Sequence, residues 1–532
     1  MHPCRTFAWT LFVAMVANGI AVRAQDPLTR KIDAEIKAAW DREKVKPAAK
    51  STDAEFVRRI YLDLVGTIPS YEETKKFLAD PEPDKRKKLI DSLLASKRFC
   101  AAQADVWDLV LFGRHPQNAE ATRKRDGFKK WLAERIEKKE PLDGIVKKLL
   151  LGEEDGSEMF LVQYKNAPEE ATVAVTRVFL GLQLQCARCH DHPFAIWTQR
   201  DFYGMAGFFV RVVVADGGGS SKMRKFKIGE KSVGEVLFTG AVKDQKPGQK
   251  GEPIRPKFLG GDVLDEPPAP KDAKKQAVKE GKLPPRPAFS RKQKIAEWVT
   301  KADNPYFARA MANRIWAQFM GRGFVNPVDD LGGKLEPTHP ELLDALAKHL
   351  KETKFDLKDI IRAIVLSDAY QLSSVGPSKD AAPEWYERAR VRPLSAEELW
   401  TSFKIAAQTP ADAFKGSGEP MEYVVRFFGE PTDGLGHFQG SLAEHLFLNN
   451  AQQLRQMAQS RKGNLAEAIL AMKAPSDEKV DRMFLSILSR PPSEVERKRF
   501  VEHLAGDAKM KPVLVEEAIW TLMSCSEFRF NH

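Results

Sequence analysis

Five times in this 532-residue chain a Ser or Thr is followed three residues later by Glu, directly ahead of an apolar run at helical spacing. The pairs are Thr52 with Glu55, Ser70 with Glu73, Thr338 with Glu341, Ser395 with Glu398 and Ser493 with Glu496. Such a pair caps a helix reciprocally: the hydroxyl takes a free backbone N–H of the first turn, and the carboxylate reaches back to the cap residue. Behind Thr338, Pro340 suits a first helical turn, and Leu342, Leu343, Leu346 and Leu350 share one face. Phe56, Ile60 and Leu64 repeat the spacing, whereas alternating strand patterns are rare. The fold class expected is therefore mainly α.

One stretch breaks the pattern. Residues 212–287 are rich in Lys, Gly and Pro, with Gly217-Gly218-Gly219 and Pro267-Pro268-Ala269-Pro270 as the clearest breakers. Phe226-Lys227-Ile228 and Glu235-Val236-Leu237-Phe238 read as short strands within it. The organisation expected is a signal peptide over 1–24, a helical domain over 25–211, a β-containing insertion and linker over 212–287, and a second helical domain over 288–532. Some 500 mature residues exceed what one core usually supports. No repeat at solenoid periods is present.

The chemistry concentrates in Cys186-Ala187-Arg188-Cys189-His190. C-x-x-C-H is the attachment pattern of c-type haem, in which both thiols bond the porphyrin and the next imidazole takes the iron. Two alternatives stand beside it: a zinc site using the thiolates with His190 or His192, and a disulfide or idle pair. Zinc calls for a fourth ligand, and no second C-x-x-C supplies one. Upstream, Val175, Val178, Phe179 and Leu182 predict a helix ending near Gln185. Downstream, Thr198 predicts the cap of a helix carrying Phe202, Met205, Ala206 and Phe209 on one side. Met205 is a candidate distal ligand, although a Met at helical spacing is more often core. His115, His437 and His445 are weaker candidates. His192 lies too near His190 to reach the opposite porphyrin face, and a local hydrogen bond is expected, with Asp191 orienting it.

The N-terminus fits that chemistry. Arg5 stands in a short basic head, Phe7 to Ala21 are apolar apart from Asn18, and Val22-Arg23-Ala24 offers small residues for cleavage before Gln25. The expected protein is exported, periplasmic or secreted, with no membrane span once the signal is gone. Haem is normally attached in that compartment, which also oxidises free thiols. Four Cys then remain: the motif pair, Cys100 and Cys525. The last two read as buried small residues, with a disulfide between them as the alternative. The formal charge of +11 falls to +9 without Arg5 and Arg23. That surplus suits an acidic redox partner or an anionic polysaccharide. Its bases are scattered and lack interleaved aromatics, which excludes a nucleic-acid interface.

Asp329-Asp330 is the second candidate site, for calcium or for acid/base work at unassigned catalytic positions. The blander reading pairs these carboxylates with Arg314 or Arg322. Likewise, Asn313-Arg314-x-Trp316 reads as a packed helix face. No serine nucleophile elbow, phosphate-cradling Gly loop or H-E-x-x-H helix occurs.

Residues 51–70, ending Arg58-Arg59-Ile60-Tyr61-Leu62-Asp63-Leu64-Val65-Gly66-Thr67-Ile68-Pro69, resemble the opening of the planctomycete cytochrome C-like domain family. So does the block from Phe179-Leu180-Gly181 through Cys186-Ala187-Arg188-Cys189-His190-Asp191-His192-Pro193-Phe194. The second half resembles the planctomycete-specific domain that commonly follows. It does so at Asn304-Pro305-Tyr306-Phe307-Ala308, Gly321-Arg322-Gly323, Pro327-Val328-Asp329-Asp330, Ala369-Tyr370-Gln371-Leu372-Ser373, Leu488-Ser489-Arg490-Pro491-Pro492 and Ser526 to His532. The resemblance implies an exported protein of uncharacterised role, from bacteria that degrade complex, often sulfated, polysaccharides. Many relatives carry a Cys-containing acidic stretch after a Phe-Gly-x-Pro; here Phe428-Gly429-Glu430-Pro431 leads instead to Gly434-Leu435-Gly436-His437.

The functional expectation is a covalent haem c protein passing single electrons, with a tie to polysaccharide breakdown. Its rivals are a non-redox scaffold or glycan-binding protein with a structural zinc, and a carbohydrate-active enzyme centred on Asp329 and Asp330.

Overall fold

The computed structural model describes residues 26–114, 116, 118, 125–218, 225–240, 251–268, 282–377, 382–410, 421–428 and 442–532. The signal-peptide segment, His115, Gly219, Ala269-Pro270 and the segment 429–441 with His437 lie outside them. The chain is mainly α, with three two-stranded antiparallel sheets among the described residues. Val212–Asp216 pairs with Phe226–Glu230, and Val236–Phe238 pairs with Glu252–Ile254, so both expected strands form and each has a partner. The third sheet joins Arg392–Pro393 to Phe530–Asn531.

Most caps act as expected. Ser70, Ser395 and Ser493 complete reciprocal capping boxes, and Thr52 accepts from Glu55 N. Thr338 does not cap. Its N–H donates to Phe324 O at 3.0 Å and its hydroxyl meets His339 Nδ1 at 3.0 Å, so the helix Pro340–Glu352 starts one residue later, from His339.

Buried apolar residues form two clusters. The first runs from Leu28 to Tyr386 and the second mainly from Leu394 to Phe528. Apolar packing is continuous across the span 212–287. The physical reason is that the helix Arg291–Thr300 lies on Leu142–Leu151, and the buried Arg291 binds back across the insertion. Its guanidinium donates to Glu266 at 2.6 Å, Gly207 O at 3.0 Å and Gly234 O at 3.1 Å.

The helix Asp53–Val65 serves both clusters. Phe56, Ile60 and Leu64 enter the first, Leu62 and the following Ile68 the second. Its polar residues are buried too and must find partners. Arg58 donates to Phe528 O at 3.0 Å and Ile487 O at 3.3 Å; Arg59 donates to Tyr370 O and Leu372 O and pairs with Glu55. Asp63 accepts from Tyr370 Oη, Arg392 and Asn531 Nδ2 at 2.8–2.9 Å. Burial lowers Arg58 to about 10 and raises Asp63, while Arg392 opposes the second shift.

Cys100 and Cys525 are free thiols, one in the first cluster and the other against the second, which overturns the disulfide alternative. Among the described residues no helix is long and apolar enough to cross a membrane.

Replacing Arg58 with Met removes the donor bonded to the carbonyls of Ile487 and Phe528. It should lower stability by about 3 kcal/mol, read as a fall in the denaturant midpoint. His339 gives a pH test. Buried among Phe324, Trp385 and Tyr386, it is lowered to about 4, chiefly by burial. The unfolded chain binds its proton near pH 6.5 and the folded chain does not, so stability falls as pH drops from 6.5 towards 4. The loss is at most about 3 kcal/mol, and His339→Phe should flatten that part of the stability–pH curve.

Candidate functional site

The C-x-x-C-H segment follows an abrupt helix end. Pro168–Val175 is α-helical, Thr176–Leu180 widens into a π turn, and Gly181 stops it with φ +65°. The helix ends before Gln185 because Gly181 takes the left-handed conformation that closes a helix C-terminus. A Cβ there would sit 2.7 Å from Leu331 Cδ1 and 3.2 Å from Ala310 Cβ, so glycine is needed for space as well.

Gln185–Arg188 then forms one 3₁₀ turn. Cys189 N donates to Cys186 O at 3.3 Å, and both thiols are exposed and free. Ala187, between them, is wholly buried and anchors the turn. Gln199 Nε2 and Tyr203 Oη donate to Arg188 O at 3.0 and 3.3 Å, and Arg188 pairs with Glu170 at 2.7 Å. The next helix, Gln199–Ala206, is capped by Thr198 as expected.

The two histidines hold opposite protons. His190 Nδ1 lies 2.7 Å from Asp191 O. A carbonyl only accepts, so the proton is on Nδ1, and neutral Nε2 keeps its lone pair. His192 Nδ1 accepts from Ala195 N at 2.9 Å and Phe194 N at 3.2 Å, which leaves its proton on Nε2. With His192 N donating to Trp197 O at 2.8 Å, this imidazole staples the 192–197 loop. Asp191 does not orient it; that carboxylate accepts from Gln199 N at 2.8 Å.

The acidic pair comes to the same place. Leu331 N donates to Gly181 O at 2.8 Å, and a Cβ on Gly332 would meet Leu182 Cδ2 at 2.7 Å and Trp197 Nε1 at 3.4 Å. Asn313 fixes this second loop from behind: Nδ2 donates to Val325 O and Val328 O, and Oδ1 accepts from Val325 N. Asp329 accepts from Gln183 Nε2 at 3.0 Å and lies 3.8 Å from Arg177; Arg314 is within its electrostatic reach, so these partners replace Arg322. Among the described residues nothing donates a hydrogen bond to the Asp330 side chain. Burial raises its carboxyl above the usual range, neighbouring Asp329 adds to the rise, and His192 opposes it.

Met205 is wholly buried in the first cluster, away from the exposed surface that carries His190. His445 is exposed on Leu442–Asn450, a helix of the second cluster's half of the chain. Among the described residues no three His, Cys, Asp or Glu side chains are grouped to hold a metal ion, so the thiols and imidazoles do not converge as a structural zinc site requires. Residues not foreseen as part of the site are Gln183, Phe194, Ile196, Lys334 and Leu335. Phe194 and Ile196 are 64% and 83% exposed, and Lys334 Nζ stands 5.1 Å from the Phe194 ring centroid. The apolar residues directly after the motif were the available signal.

Residues 31–213 match the family model PSCyt2, described as a protein of unknown function (DUF1549), and residues 291–427 match PSD1, a protein of unknown function (DUF1553). The chain is a PSCyt2–PSD1 protein. This is the pairing of planctomycete cytochrome c-like and C-terminal domains that its motifs resemble. Among curated proteins and among solved structures nothing matches the chain. Seen this way, C-x-x-C-H belongs to the PSCyt2 domain and Asp329-Asp330 to PSD1, and the two domains meet at these motifs.

His192→Ala removes the acceptor for two backbone N–H groups. It should raise amide hydrogen exchange at Phe194 and Ala195 by tenfold or more, while exchange in the helix Phe307–Met320 stays unchanged.

Proposed function

We propose that the chain is an exported c-type haem protein with an electron-transfer role, its porphyrin held at Cys186 and Cys189 and its iron by His190. The observation that carries this reading is the state of the motif itself. Two free thiols are exposed on one short turn, and the adjoining imidazole has its Nδ1 proton committed to a carbonyl while Nε2 is free to ligate. Each thiol would add across a vinyl group, sulfur to one carbon and hydrogen to the other, so that no atom is lost. When bound, such a group supplies one-electron exchange at a potential set by axial ligation and burial.

The chain's own residues do the positioning. Ala187 and the bonds to Arg188 O fix the turn, and His192 fixes the loop beyond it. The exposed Phe194 and Ile196 offer apolar surface on the loop that follows the motif. The basic surplus suits an acidic redox partner, and a connection to anionic polysaccharide breakdown is the wider setting we assign. A structural zinc is disfavoured by the dispersed donors, and in the rival enzyme reading around Asp329 and Asp330 the first carboxylate is already tied to Gln183 and Arg177.

Protein matured in a host with cytochrome c machinery should show a Soret band and sharp reduced α and β bands that survive acid–acetone extraction. Cys186→Ala with Cys189→Ala should lose all colour to the extraction. A colourless wild-type protein, or colour fully extracted from it, would falsify the proposal.

A further inference from the structure

The loop that brings Asp329 and Asp330 to the motif runs on past Gly332 and Gly333 to Lys334 and Leu335. Lys334 stands over the exposed face of Phe194, and among the described residues no carboxylate pairs with it. Leu335, next to it, is 50% exposed. Phe194, Ile196 and Leu335 are thus large apolar side chains left in water on the two loops that meet at the motif, with the Lys334 ammonium above the first of them. Soluble surfaces expose single apolar residues routinely, but several on two adjoining loops mark a place that something covers. The cover must be flat and apolar, must reach the thiols, and must carry negative charge at its edge. A porphyrin with its two propionates has that chemistry.

Resting on the haem reading above, we infer that the haem site is shared between the two family domains. The PSD1 loop 329–335 would be its outer wall, with Leu335 supplying apolar lining and Lys334 a counter-charge to the acidic groups of the porphyrin. The wall is held by contacts that do not involve haem: Leu331 N to Gly181 O at 2.8 Å, Gly332 against Leu182 and Trp197, and Asn313 behind the loop. PSCyt2 supplies the covalent ligands, and PSD1 supplies the enclosure that sets the potential. This gives a physical reason for the two domains to occur in one chain.

The test uses the full chain matured with cytochrome c machinery. Wild type, Lys334→Glu, Leu335→Ser and a control charge reversal at exposed Lys509→Glu are compared by peptide mass and by redox titration. All four should carry one haem on the peptide containing Cys186 and Cys189. Lys334→Glu should lower the midpoint potential, because a negative charge near the iron favours the ferric state. Leu335→Ser should lower it too by admitting water, and Lys509→Glu should leave it at the wild-type value. Haem on every protein with one common potential would overturn the shared wall while leaving the haem reading intact. Absence of haem from the wild type would overturn both. Should Leu335→Ser not fold, Lys334→Glu decides alone, since its exposed side chain bears no packing load.

Discussion

Burial of the helix Asp53–Val65 on every side is the constraint from which the architecture follows. A helix that feeds two cores has no face left for water, so its polar residues need partners from distant parts of the chain. Arg58 takes the carbonyls of Ile487 and Phe528, Arg59 those of Tyr370 and Leu372, and Asp63 gathers Tyr370, Arg392 and Asn531. The unbroken motif from Arg58 to Pro69 is thereby explained without invoking a site: it is the seam between the two apolar clusters. The terminal Phe528 to Asn531 belongs to the same seam, with Phe528 stacked on Phe403 and Asn531 bonded to Asp63.

Within the first cluster the helix Arg291–Thr300 packs on Leu142–Leu151, and two further loops of the matched segments come together. Gly181 ends one helix and accepts from Leu331; Gly332 fits where a side chain would strike Leu182. Both glycines act by lacking a Cβ, and between them they set the approach of the C-x-x-C-H loop to the acidic loop. What forms is a site whose two thiols are open to solvent. Its chemistry is carried by sulfur and imidazole on one side, and by a free carboxylate and a free ammonium on the other.

Much of this was legible from residue order alone. Capping at Ser70, Ser395 and Ser493, the strands at 226–228 and 236–238, and the cap at Thr198 are local properties, written within a few residues. Failures came where a distant contact outweighed a local signal. Thr338 lost its capping role to a hydrogen bond with Phe324, and the helix expected to reach Gln185 stopped at Gly181, whose glycine was a readable stop signal. The continuity of apolar packing past the insertion, where Arg291 binds Glu266 and Gly207 O, has no local signal either. The meeting of Gln183 with Asp329 spans 146 positions, and no spacing rule reports such a contact. Thus the C-x-x-C-H motif was visible, while the loop that meets it was not.

Thiol accessibility in the natively matured, full-length chain tests the account most directly. Four cysteines are described, two exposed in the motif and two at least partly covered. After denaturation an alkylating reagent should label Cys100 and Cys525 but neither Cys186 nor Cys189, because thioether sulfur does not react. Full labelling of all four, on a chain whose mass is that of the bare polypeptide, would contradict a haem bonded at the meeting of these two loops.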